Sequence, residues 1–450
     1  MRSSGRTTDE LDDAVARMTP DARAVFEEHQ NADGLAEPEL AEGFNALTAV
    51  EKGDVTEASQ LLEEVRAEED ATARHLSRRR RRLWIASLVF SAVCMIALSG
   101  ILIDVYTAPT KADPADTVVT TQDDVNRYMA THLPTPMPGS RAPIFIPTGL
   151  FITSLEFTGP YTVEVSGEIW QRYTKDLPRD LTRGVFLPLA EDQPTFKELY
   201  REQQGDEEVI GWTFHASMRE QFDYSRYPMG RHQIRLRMYH PDFENNVYLT
   251  PDLAAYDPVD PASVPGVDPV MILENWDLQQ AFFSYRTHDL NTNFGTSTYG
   301  ANQLHPELYY SIAVRRHLLS PLISRTIVPI VILIQLFVVV MVLGKDSERL
   351  EAFGVRPGTV IFTGAAFFFA VLIGHNALRD EVRAPGFIYI ESLYVITYAF
   401  IVAAVLNSFL LVARPHSRLF RDYDNMWVKV LYWPTVTAIL LIITLLKFHL

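Results

Sequence analysis

Thr359, Thr363, Ala366 and Ala370 follow one another at steps of four, three and four, which places them on one face of a helix. Val360, Ile361, Phe362, Phe367, Phe368 and Phe369 fall around the rest of the same apolar run. Small, partly hydroxylated side chains in front of a bulky back suit the wall of a water-filled path, with the phenylalanines packed away from it. The same small residues would also let membrane helices approach closely. A second set is aromatic: Trp170, Tyr239, Phe243, Phe294 and Tyr299. Ring faces attract a cationic ligand, although Tyr and Phe on strands more often fill a core. His215, His232 and His240, with Asp242, could collect a metal, but their spacing matches no compact metal motif. No metal or other cofactor is expected. GxGxxG, P-loop, HExxH and GxSxG patterns are missing, so the chain is not expected to be an enzyme.

Five apolar runs would carry these residues through a hydrocarbon core: Leu83–Ile103, Ile327–Leu343, Gly358–Ile373, Phe387–Val412 and Val428–Leu446. Each approaches the roughly 20 residues that cross a bilayer, the third being short. More than 80 residues precede the first run, so it reads as a signal anchor and not as a cleaved leader. Arg78 to Arg82 stand directly before it, and the positive-inside rule then places residues 1–82 in the cytoplasm. Residues 104–320 fall outside. Gly344–Pro357 is an inner link, Gly374–Pro385 an outer one, and Ala413–Trp427, with Arg414, His416, Arg418 and Arg421, an inner one. The expected location is an inner (plasma) membrane, with the N-terminus cytoplasmic and the C-terminus extracytoplasmic.

The net charge of −16 is unevenly spread. Residues 1–77 hold 19 acidic against 7 basic side chains, which disfavours a nucleic-acid partner there. Helical spacing of Leu11, Val15 and Met18, and of Ala58, Leu61, Leu62 and Val65, predicts a small acidic helical domain that could dock a cytoplasmic protein. Residues 104–143 read as a Pro-, Thr- and Asp-rich linker with a short helix near Asp124–Ala130. Beyond Ile144 the pattern alternates, as in Phe151–Phe157, Tyr161–Val165, Gln233–Met238 and Tyr310–Val314, and predicts an all-β sandwich. The single cysteine, Cys94, lies in an apolar run, so no intrachain disulfide can staple that domain.

Three segments, in order, resemble the pentameric ligand-gated ion channel family, the Cys-loop receptor superfamily in its disulfide-free bacterial form. They are Gly149–Phe157 with Val165–Arg172, the loop Phe222–Gln233 containing Tyr227-Pro228-Met229-Gly230, and Arg315-Arg316 running through Pro321 to Pro329. Ser347–Leu350 and Phe387–Leu411 extend the likeness, which covers about residues 144–446. It implies a homopentamer among membrane lipids, an all-β extracytoplasmic domain over an α-helical transmembrane pore, and gating by a small ligand or by protons. It also implies a pore lined by Thr359, Thr363, Ala366, Ala370 and Ile373, and a ligand cage between subunits, with Tyr239, Phe243, Phe294 and Tyr299 from loops and Trp170 from the facing strand. Coupling would pass through Tyr227, Pro228, Met229 and Arg316. Met229-Gly230 stands where the family usually has Phe-Asp, and Ala366 where it usually has a large aliphatic gate. The first span and the acidic domain have no counterpart in the usual plan. Glu348, Glu351, Asp380 and Glu381 favour cations, whereas Arg356 favours anions.

The resulting division is residues 1–77, an acidic helical domain; 78–103, basic anchor and first span; 104–143, linker; 144–320, β domain; and 321–450, a four-helix pore domain. A non-conducting receptor that passes an outside signal to residues 1–77 is the alternative reading.

Overall fold

The computed structural model describes residues 55–110, 112–133, 141–178, 180–290, 292, 295, 303–343, 357–384, 386–413 and 425–449. The chain divides into two compact units, Met1–Ala86 and Ser87–Leu450. Helix α1, Val55–Thr107, is continuous through the boundary, and its side chains are described from Arg78 onward.

Two sheets follow in the second unit. One is four-stranded in the order β1 (Thr117–Val119), β8 (Trp276–Leu290), β9 (Gln303–Arg316) and β6 (Arg231–Met238). The other runs β4 (Thr195–Gln204), β5 (Glu207–Arg219), β3 (Thr162–Thr174), β2 (Ile144–Phe157) and β7 (Val247–Pro251). All pairings are antiparallel except β2 with β7. Strict alternation of buried and half-buried residues along β3 and β6 follows the period of two in their sequences.

Val163, Val165, Ile210, Ile234, Leu236, Phe283 and Ile312 point into one hydrophobic core. Buried tyrosines cross it with their hydroxyls satisfied: Tyr285 donates to the Leu249 carbonyl at 3.1 Å and Tyr310 to that of Pro265 at 2.6 Å. The expected 104–143 linker is more ordered than its composition implies. It contributes β1 and helix α2, Gln122–His132, capped by Thr121 and Asp124 in a capping box. Tyr128 of α2 stacks on Tyr285 with centroids 4.8 Å apart.

Helices α3 (Leu319–Val342), α4 (Pro357–Val382), α5 (Glu391–Ala413) and α6 (Met426–Phe448) complete the chain. With α1 they make five helices long and apolar enough to cross a membrane, so this is a multi-pass membrane protein. The end of the third span differs from expectation. The sequence reading ended the third span at Ile373 and made Gly374–Pro385 a loop, but α4 continues to Val382 and carries Asp380 and Glu381 on its last turn. Polar residues there keep helical geometry because the helix ends against protein.

Proline placement is accommodated chemically. Pro329 lies inside α3 and offers no N–H to the Arg325 carbonyl one turn earlier. The Tyr394 hydroxyl of α5 donates to that oxygen at 2.6 Å. Pro434 of α6 likewise leaves the Val430 carbonyl without its helical donor, and the Ser87 hydroxyl of α1 donates to it at 2.6 Å. Gly364 lets α4 approach α5, since a Cβ there would lie 2.7 Å from Val405 Cγ2. Cys94 is buried and not lipid-facing.

Candidate functional site

The loop between β5 and β6 and the end of β9 converge on the last turn of α4. The Tyr227 hydroxyl donates to Glu381 Oε1 at 3.3 Å, and Arg316 reaches the same oxygen at 3.4 Å. Arg325, on the first turns of α3, donates to the other carboxylate oxygen. One carboxylate thus ties a loop, a strand end and two membrane helices. The Arg316 guanidinium also stacks over Tyr227, 4.9 Å from the ring centre, and over Trp276 at 5.4 Å.

The same loop meets other helices. Tyr389 N–H donates to the Ser225 carbonyl at 3.0 Å, and Arg226 lies 5.8 Å over the Phe448 ring of α6. Just below, the fully buried Glu391 accepts from Arg379, from His375 Nε2 at 3.1 Å and from Ile388 N–H at 2.9 Å. This cluster fixes the end of α4 to the start of α5. Of the expected coupling residues, Tyr227 and Arg316 come together. Pro228 and the buried Met229 belong to the same turn. Glu381, Arg325 and Glu391 were missed as partners. An arginine two residues before the apolar run Ile327–Leu343, as Arg325 is, was the available signal, because a charge at the edge of a span needs a counter-charge.

On α4, Val360, Gly364, Val371, Leu378 and Val382 are buried, and Thr359, Ala366, Ala370 and Ile373 are exposed, Thr363 being half-buried. Ile373 is 70% exposed. At about 100° per residue the small stripe lies roughly 120° from the buried one, on a flank of the uncovered side. The phenylalanines of α4 are divided between packed and uncovered positions, Phe367 being half-buried against the core. Phe362 is 79% and Phe369 61% exposed, nearly opposite the buried stripe. Gly364 allows the close approach to α5, and Phe368 packs on Tyr398 of that helix with ring centroids 5.2 Å apart.

Within one chain the described residues of the expected inter-subunit cage lie in two places. Tyr239, Phe243 and Phe186 form one group, with Tyr239–Phe243 centroids 5.1 Å apart and Phe186–Tyr239 centroids 5.0 Å apart, beside His305. Trp170 belongs elsewhere: its indole donates to Asp252 at 2.9 Å, and its ring covers Gly149, where a Cβ would collide at 2.2 Å. It braces β3 against the chain after β7 because Asp252, also bound by Arg172 at 2.8 Å, needs donors. Phe294, Tyr299, Glu348, Glu351, Arg356 and the inner-loop basic residues lie outside the described residues.

The three histidines are also dispersed. His215 bonds Ser166 at 2.9 Å, and His240 Nδ1 accepts the Asp242 N–H at 3.1 Å. His232, 4% exposed, sits among Phe157, Phe222, Tyr224 and Trp276. Burial, reinforced by Arg316, pushes its pKa down to about 4, and burial does the same to His240 and His305. An unfolded histidine titrates near 6.5, so the unfolded state binds the extra proton first. Stability from neutral His232 is complete above about pH 6.5 and is lost as pH falls toward 4, amounting to about 3 kcal/mol. Unfolding of wild type and His232→Phe across that interval should give a shallower pH slope for the variant; equal slopes would contradict this origin.

Together these features define a class: a multi-pass membrane protein whose sheet domain follows the first span and grips the ends of the others. No protein-family model matches the chain, and neither does any curated protein.

Proposed function

We propose that the chain is a subunit of a homopentameric ion channel gated by a small extracytoplasmic ligand or by protons. The observation that carries this reading is the Tyr227–Arg316–Arg325–Glu381 junction. It connects a sheet domain to α4, a helix that keeps a stripe of small residues uncovered. In this reading the two sheets form a sandwich and α3–α6 a four-helix pore domain, with α4 facing the axis. Residues 1–82 are cytoplasmic and the sheet domain lies outside, as Arg78–Arg82 direct. The exposed Asp380 at the outer mouth favours cations, its neighbour Glu381 being neutralised by Arg316 and Arg325. Tyr239, Phe243 and Phe186 offer ring faces to a cationic ligand.

Reconstitution in planar bilayers tests this. Current should appear on changing outside pH, divalent ions or small amines. Lysine at Ala366 or Ala370 should suppress cation passage, whereas lysine at Val371, on the buried face, should instead disrupt assembly. Sensitivity confined to Phe362 and Phe369 would move the pore face to the opposite pole of α4. Silence from a verified pentamer would favour the non-conducting receptor.

A further inference from the structure

The segment after α1 is bound across the outward face of the four-stranded sheet by a row of arginines. Arg231 donates to the carbonyls of Val105 at 2.8 Å, Tyr106 at 3.0 Å and Pro109 at 3.2 Å. A cation on the last carbonyls of a helix satisfies acceptors that have no partner within the helix and suits its dipole. Arg315 lies 4.7 Å over the Tyr106 ring, and in the β6–β9 register it is directly opposite Arg231. Further along, Asp113 pairs with Arg235 at 3.2 Å and Arg286 at 2.7 Å. The fully buried Asp116 carboxylate pairs with Arg286 and accepts from Gln233 at 2.9 Å. Strand β1 then joins β8 at Thr117–Val119.

This strap ends where the gating junction begins. Arg231 opens β6 shortly after the Tyr227-Pro228 turn, and Arg315 immediately precedes Arg316 on β9. By contrast, α1 is held loosely within the membrane: 6% of its apolar window is buried. Within it, the Ser87 hydroxyl donates to the Val430 carbonyl of α6 at 2.6 Å. A helix so little packed in the membrane and so firmly tied at its outer end transmits displacement mainly through that tie.

We propose that α1 is a second input to the gate, acting through the strap on the first residues of β6 and the last of β9. This rests on the channel reading. Movement of α1 shifts the Arg231–Arg315 pair and with it the Tyr227 and Arg316 contacts to Glu381. The outer domain and the anchor helix therefore bias the same junction.

A short glycine insertion after Ala108 in the full-length chain separates α1 from the strap and leaves Asp113, Asp116 and β1 in place. It should move the activation midpoint by about 2- to 30-fold with the pentamer intact, and Asp113→Asn should shift it in the same direction. An unchanged midpoint in both variants overturns the proposal. If the wild type itself carries no current, the channel reading fails and amide exchange decides separately. Faster exchange across residues 222–234 in either variant supports the mechanical link, and unchanged exchange removes it.

Discussion

Under the proposed channel function, alanine at Glu381 is expected to shift activation by roughly 5- to 150-fold, the usual span of a coupling free energy between two sites. The side chain accepts from Tyr227, Arg316 and Arg325, so its loss unties the sheet domain from α4 and leaves two like charges facing each other. It is about one-third exposed, so folding stability should suffer much less than gating. Pentamer yield and thermal midpoint should stay near wild type while evoked current falls. Exchanging the charges, Glu381→Arg with Arg316→Glu, should recover part of the response. Wild-type activation in the alanine variant would remove Glu381 from the gating path.

Alanine at Glu307 should act in the opposite sense, on folding first. Its carboxylate is 1% exposed and holds Arg237 through both oxygens, one at 2.8 Å, with His288 3.6 Å away. Removing one member of a buried pair leaves the other charge without compensation and costs about 3–5 kcal/mol. For a domain of this size that is a fall of roughly 10 °C in the melting temperature. An apolar double replacement, Glu307→Leu with Arg237→Met, should recover most of the loss, because desolvation of both charges disappears together. A double variant as unstable as the two single losses added would show that the pair is not the cause.

The sequence by itself determined the elements that depend on local pattern. Five spans were legible because a hydrocarbon core demands long runs without charge, and strands because half-burial imposes a period of two. The arrival of Tyr227 and Arg316 at one junction was foreseen only through the family resemblance. What lay beyond sequence were pairings between distant residues. Nothing local marks Glu381 as the partner of Tyr227, 154 positions earlier, or Asp116 as the partner of Arg286, 170 positions later. The ring of Trp170 is visible in sequence, but its Asp252 acceptor, 82 positions later, is not. In the linker the short helix near Asp124–Ala130 was legible, whereas strand β1 was not, because Pro, Thr and Asp carry no core signal and arginines on the neighbouring strands hold the segment. The pole of α4 occupied by Phe362 and Phe369 likewise depended on which face α5 covers, and Gly364 against Val405 decided that. Periodicity specifies that a helix has faces; only packing against the rest of the chain assigns each face its neighbour.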